Sequence, residues 1–393
     1  MAIRFGADAV YLGGKSFGLR SGAGNFSQEE MKEGIQLAHE KQGRVYVTVN
    51  VFTHNNDLIV LPDYLKELEA LHVDGIIVSD PGVFLTARNT VPNLPVHIST
   101  QANTTNWEAV RFWQEAGARR VVLARELSQQ EIFEIRKRSS IEIEIFVHGA
   151  MCISYSGRCL LSNYLAERNA NQGDCAQPCR WKYHLVEEKR PGQYWPIFED
   201  ERGTYVFNSK DLCLLQSLPE LMDCGIDSFK IEGRMKSAYY VASVVKVYRE
   251  AIDISLSDPV RFSQKLRGWQ EELLKVSHRD YTTGFFYDKP SREDQRYSAS
   301  TYIKNYDFIG VVLDYDIEKE EVLLEQRNRF FVGEEIEFLP PRGSFIKWSL
   351  DSIKDETGEE LESVPHPQQL VTIPVPFRLE PGTIMRRVRQ EES

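Results

Sequence analysis

From Ser27 to Phe52 the chain reads SQEEMKEGIQLAHEKQGRVYVTVNVF, and two structural periods meet in that stretch. Residues 28–41 carry the spacing of an amphipathic helix whose start is marked by a capping box of Ser27 and Glu30. Residues 45–52 then form a β-branched run. The same unit recurs along the chain, with strands expected at 9–12, 45–52, 75–79, 96–101, 120–124, 142–148, 205–208 and 228–232 and with helices such as 107–116 between them. Strands alternating with helices make an α/β fold with a parallel sheet, most economically a (β/α)8, TIM-type barrel. A doubly wound open sheet is the alternative, but Gly18, Gly22 and Gly24 lack the spacing of a dinucleotide loop.

Beyond a helix over 237–254 the pattern changes. Residues 256–302, with Pro259 and Pro290 among many polar side chains, read as a connector between a barrel over 1–255 and a small β-barrel over 303–393. Strands are expected there at 308–313, 322–326, 335–339, 371–375 and 383–388, and the domain ends in a basic tail of Arg386, Arg387 and Arg389.

At 393 residues and 42% hydrophobic, the chain is long enough for more than one core, since single cores stop growing at roughly 250–300 residues. Its net charge of −11 supplies no bulk attraction to nucleic acid or to an anionic membrane, so any RNA contact must use local basic patches. The N-terminus has no charged region leading into an apolar one, and no apolar run is long enough to span a bilayer. A soluble, cytoplasmic protein without a membrane partner is expected.

Four of the six cysteines, Cys152, Cys159, Cys175 and Cys179, fall close together. In a reducing compartment such clustering points to metal rather than to disulfides. The first two follow directly on the strand over 142–148, so they start from the carboxyl mouth of the barrel, where this fold places its chemistry. Four thiolates suit an iron-sulfur cluster or a structural zinc. Zinc prefers pairs with two to four residues between ligands, which only Cys175 and Cys179 satisfy; the intervals of six and fifteen residues fit a cluster better. Cys224 reads as an ordinary buried thiol at a helix end.

The segment from Glu144 to Ser162, EIFVHGAMCISYSGRCLLS, resembles the signature of the collagenase-like peptidase family U-32. So do GADAVYLGG (6–14), NSKDL (208–212), KIEGRMKS (230–237) and SHRDYTTGF (277–285), and the similarity extends over nearly the whole chain. The resemblance implies a (β/α)8-like barrel, often with an appended β-barrel, and in several members a 4Fe-4S cluster on four cysteines. Against that pattern the chain starts about one βα unit late, which implies either a barrel that closes differently or a chain that is N-terminally short. Some relatives draw the fourth ligand from a position like Cys213; the Cys-x-x-x-Cys pair favours Cys179 here and leaves Cys213 in reserve.

The family name implies a peptidase, yet the sequence holds no His-Glu-x-x-His and no Gly-x-Ser-x-Gly; a Cys-His pair of Cys152 with His148 is what remains for proteolysis. The family's other activities are hydroxylations without molecular oxygen. The Arg180-Trp181-Lys182-Tyr183 run and the long insertion before Tyr205 look most like the branch that converts a wobble uridine of tRNA to 5-hydroxyuridine, with prephenate as co-substrate and sometimes a second family member as partner subunit; the C-terminal strands argue against the branch that acts on the ubiquinone ring. A dicarboxylate such as prephenate needs fixed cations, and Lys210, Lys230, Arg234 and Lys236 stand near strand ends; the plain alternative for each is a solvated charge or an ion pair to Glu232. Tyr11, Asn50, Ser99 and Gln101 end strands on the same side and are candidate pocket residues, and His148 is a candidate proton carrier. A non-catalytic RNA-binding or scaffold protein, touching phosphates through Arg386, Arg387 and Arg389, is a third reading.

Overall fold

Runs of Val and Ile separated by capped helices do build a parallel sheet. The computed structural model describes residues 1–18, 24–151, 161–168, 176, 178, 185–186, 194–195, 198–200, 203–205, 210–287 and 302–389. The chain divides into two compact units: residues 8–235 with 279–301, and residues 1–7 with 236–278 and 302–393.

In the first unit, β1 (Ala9–Leu12), β2 (Arg44–Val49), β3 (Gly75–Val78), β4 (Val96–Ile98), β5 (Arg120–Val122) and β6 (Glu142–Ala150) pair in order, all parallel. The helices that follow them are α1 (Gln28–Glu40), α2 (Asn55–Ala70), α3 (Pro81–Thr90), α4 (Trp107–Ala116), α5 (Gln129–Arg138) and α6 (Leu161–Ala166). Their starts are fixed locally: Ser27 with Glu30 and Ser128 with Glu131 form capping boxes, and Asp80 and Asn106 accept from first-turn N–H groups. Every residue of β3 and β4 is buried, as expected of a sheet covered by helices.

Two short antiparallel pairs follow, β7 (Leu185–Val186) with β8 (Tyr194–Trp195) and β9 (Phe198–Asp200) with β10 (Gly203–Tyr205). Of the strand expected at 205–208, only Tyr205 lies within the described residues. The next strand, β11 (Asp211–Cys213), lies beyond the strands expected from the sequence and runs antiparallel to the end of β6. After α7 (Leu218–Asp223), β12 (Ser228–Ile231) returns parallel to β6. The described residues therefore show a parallel α/β sheet of TIM-like character, and no described pairing closes it from β12 back to β1.

In the second unit, α8 (Ala238–Ser257) is followed by α9 (Pro259–Leu273), inside the stretch read as a connector. Further on, β13 (Tyr281–Thr282) belongs to the first unit and pairs with β11. The C-terminal strands are β14 (Tyr306–Asp316), β15 (Glu321–Gln326), β16 (Phe330–Phe331), β17 (Glu335–Leu339), β18 (Ile346–Ser349), β19 (Ser363–Val364), β20 (Leu370–Pro374) and β21 (Ile384–Val388). Six of them form one antiparallel sheet in the order β18-β17-β21-β14-β15-β20 over a core that includes Ile309, Val312, Leu324, Phe338 and Met385. Arg386, read as part of a basic tail, is fully buried in β21. It forms a two-pronged ion pair with Glu272 of α9, and its Nε donates to Glu337 of β17 at 3.0 Å. Arg387 pairs with Glu334. No helix among the described residues is long and apolar enough to cross a membrane.

Candidate active site

Because the seven parallel strands point one way, their carboxyl ends share an edge, and that edge is polar. Ser79, after β3, donates its Oγ hydrogen to the Asn50 carbonyl at 3.0 Å; Asn50 Nδ2 donates to Ser99 Oγ at 3.4 Å; and Ser99 Oγ accepts from the Gln101 N–H at 3.2 Å. The structure thus joins Asn50, Ser99 and Gln101 as the sequence indicated and adds Ser79.

Deeper in the sheet lies a chain of charges. Glu144 of β6 accepts from Lys230 Nζ at 2.7 Å, from Arg120 Nη1 at 2.9 Å and from Ser228 Oγ at 2.7 Å. Burial alone would raise its carboxyl, but Lys230 and Arg120 outweigh burial and hold it at about 2. Lys230 also lies 4.5 Å from the centre of the Tyr11 ring. Burial, and then the Glu232 carboxylate, push the Tyr11 phenol well above its ordinary value. Lys230 is therefore committed to Glu144, as a buried structural cation. Lys230→Ala should cost about 3 kcal/mol, at the low end for breaking a buried pair because Arg120 and Ser228 remain with Glu144. Urea unfolding would measure it.

The neighbouring His97 is lowered to about 3, by burial first and then by Arg120. Both groups titrate lower in the folded protein than in the unfolded chain, so the stability they contribute is lost as pH falls. The expected loss begins near the ordinary histidine value of about 6.5 and continues down to about 2. Denaturation midpoints measured across that window should fall steadily with acidification. His97→Gln should remove the upper part of the slope.

Arg234 donates from Nη2 to Asn25 Oδ1 at 2.6 Å and from Nη1 to Thr48 Oγ1 at 3.4 Å. Its guanidinium occupies the space where a side chain on Gly13 would be: a Cβ there would lie 1.9 Å from Nη2. Gly149 has φ +117°, and a Cβ on it would meet Glu232 at 2.7 Å, so the chain leaving β6 needs glycine on both counts. Arg125, after β5, stacks 3.8 Å over Phe146, donates to the Ala150 carbonyl at 2.6 Å and lies 3.6 Å from Glu232. His148 is buried, with its ring centre 5.2 Å from that of Tyr281, and Cys213 stands opposite it across β6 and β11. Lys210 is half-buried just before β11. Lys236 belongs to the other unit, where it donates to the Ser277 carbonyl at 3.3 Å and sits 4.1 Å from the Tyr302 ring centre. Cys152, Cys159, Cys175 and Cys179 lie outside the described residues.

Residues 1–296 match the model of Peptidase family U32, and residues 304–386 match that of the Peptidase family U32 C-terminal domain. The chain belongs to peptidase family U32. Among its U32 relatives is tRNA hydroxylation protein P1 of Bacillus subtilis, 45% identical over 98% of this chain and 91% of that protein. Another is tRNA hydroxylation protein P of Escherichia coli, at 37% over 96% and 91%. A third, tRNA hydroxylation protein P2 of Bacillus subtilis, is 38% identical over 72% and 92%.

The U32 blocks quoted from the sequence meet in space. Gly13 of GADAVYLGG makes room for Arg234 of KIEGRMKS, and Tyr11 lies against Lys230. Asp211 of NSKDL accepts the Arg279 N–H of SHRDY at 3.1 Å, and its carboxylate is 3.2 Å from Arg279 Nε; both residues are buried. Gly13→Ala should displace the Arg234 guanidinium and weaken whatever the edge binds, with a smaller effect on folding than Lys230→Ala; paired melting and binding measurements would show it. The sequence reading missed Glu144, Arg120, Arg125, Asp211 and Arg279. For Glu144, Arg120 and Asp211 the available signal was a charged residue within a strand, which in a buried sheet requires a partner; Arg125 and Arg279 lie outside the strands and gave no such signal.

Proposed function

We propose that this chain is a tRNA-modifying enzyme that hydroxylates wobble uridine to 5-hydroxyuridine without molecular oxygen, with prephenate as co-substrate. The observation that carries the reading is the near full-length similarity to proteins named for tRNA hydroxylation, taken with a polar, cation-bearing edge on the face where α/β barrels bind ligands. The proposed cofactor is a 4Fe-4S cluster on Cys152, Cys159, Cys175 and Cys179, with Cys213 in reserve and zinc as the less favoured metal.

One hydrogen bond between described residues that flank the cysteines supports that donor set. The Ala176 N–H, next after Cys175, donates to Ser162 Oγ at 2.9 Å, and Ser162 lies three residues beyond Cys159. This tie draws the flanks of the two cysteine pairs together, and thiolates are the usual ligands of such clusters. When bound, the cluster would supply one-electron chemistry beside the strand ends. Arg234 and Lys210 are the cations proposed to hold the carboxylates of prephenate, since Lys230 is held by Glu144. A second family member as partner subunit is part of the proposal, in view of the P1 and P2 proteins of one organism. Phosphate contact through the C-terminal sheet draws little support: residues 303–393 hold nineteen acidic against eleven basic side chains, and Arg386 and Arg387 are used internally.

Complementation tests the reading. Expression of the chain in Escherichia coli lacking its own hydroxylation proteins should restore nucleosides derived from 5-hydroxyuridine in digested tRNA. Well-expressed, iron-loaded protein that restores none would refute it.

A further inference from the structure

The stretch 99–106, after β4, is rich in polar side chains, and three of them serve the fold. Ser99 caps the short turn at Gln101, Thr100 Oγ1 donates to the Leu123 carbonyl at 3.1 Å, and Asn106 caps α4 by accepting from the Ala109 N–H at 2.9 Å. Asn103 and Thr104 have no such duty. Thr104 is 1% exposed and its Oγ1 has no hydrogen-bond partner among the described residues; the buried Oδ1 of Asn103 has none either. Asn103 adopts a left-handed backbone at φ +56°, which asparagine tolerates. The Thr104 carbonyl accepts from the Ala124 N–H at 3.1 Å, which sets this pair beside the end of β5. There the buried Nε of Arg125 also lacks a partner, although its Nη1 is engaged by Ala150. Buried polar atoms are nearly always satisfied, and three unsatisfied ones on adjoining strand ends call for a polar ligand.

We infer that Asn103, Thr104 and Arg125 form the subsite that reads the pairing edge of the target uracil, an inference that rests on the proposed tRNA reaction. Uracil presents carbonyl, N–H and carbonyl in a row. The protein offers a complementary set: the Arg125 Nε–H donates, Asn103 Oδ1 accepts, and the Thr104 hydroxyl donates. Cytosine reverses two of these groups, placing a ring-nitrogen lone pair against Asn103 Oδ1 and an amino group against a donor. An arginine N–H cannot switch roles to accommodate it. Enzymes that act on one base commonly read its exposed pairing edge in this way.

The test compares binding of two anticodon stem-loop RNAs, identical except for uridine or cytidine at the wobble position, to the full-length chain purified without oxygen. The wild type should prefer the uridine loop by at least about tenfold, the scale of one hydrogen bond to a charged or buried group. Thr104→Val keeps the side-chain shape and Asn103→Gly keeps the left-handed backbone. Each should lower uridine-loop affinity by about fivefold or more while cytidine-loop affinity stays level. The Thr104→Val protein should melt like wild type, because its hydroxyl holds nothing in the fold. Equal binding of the two loops by wild type, or an undiminished preference in both variants, overturns the subsite. A preference that depends on these residues in a protein that hydroxylates no tRNA would uphold the subsite and remove the proposed reaction. Hydroxylation with a preference indifferent to them would do the reverse.

Discussion

Serine in place of Cys152, Cys159, Cys175 or Cys179 should abolish both the broad visible absorption of the anaerobically purified protein and its hydroxylation of tRNA. The expected loss is complete because a cluster needs thiolate donors, and a serine hydroxyl is neither soft nor ionised near neutral pH. The same substitution at Cys224 should change nothing: that residue ends α7, half-buried, and burial pushes its thiol up, away from the ionised form that binds metal. Cys213 is the informative control. It stands opposite His148 on β11, close enough to the carboxyl end of β6 to compete for the role of fourth ligand. Full absorption in Cys179→Ser together with its loss in Cys213→Ser would move the fourth ligand to Cys213. Iron, sulfide and zinc analysis of the wild type should find about four irons and four sulfides per chain, as a 4Fe-4S cluster requires.

Arg386→Ala should destabilise the second unit by about 3 kcal/mol or more, because it leaves the buried Glu337 and the part-buried Glu272 with Lys275 as their remaining ion-pair partner among the described residues. Arg386→Met, which fills the space but not the charge, should recover little. Replacing Glu272 and Glu337 by glutamine in the Arg386→Met background should recover more, since removing the stranded charges relieves most of the cost. Unfolding by urea, followed by tryptophan fluorescence, would measure all three. If Arg386→Ala left stability unchanged but weakened tRNA binding, Arg386 would act as the phosphate contact that a basic tail suggested.

Arg386 shows where reading a sequence stops. Three arginines near a chain end look like a solvated tail, and nothing in their spacing says that β21 runs between β17 and β14 and buries the first of them. Pro259 misled in the same way. As a helix breaker it suggested a connector, whereas it sits in the first turn of α9 behind Asp258, whose carboxylate accepts the Arg261 N–H at 3.0 Å. The parallel strands were legible because β-branched runs were spaced by capped helices, and seven of the eight expected runs became β1 to β6 and β12. β11 was not, since three residues give no period to read, and its antiparallel course depends on where β6 ends. At the site, strand-end polar residues such as Asn50 and Ser99 could be found from position alone. The pairing of Lys230 with Glu144 could not, because charges 86 residues apart meet only through the sheet register.

The proposed reaction is hydroxylation of a tRNA uridine by this U32 chain. Mass spectrometry of nucleosides from tRNA of a strain lacking the chain, and lacking any second family member, tests it most directly. Nucleosides derived from 5-hydroxyuridine should disappear, return with the wild-type chain, and stay absent with Cys152→Ser. Undiminished modification in the deletion strain would contradict it.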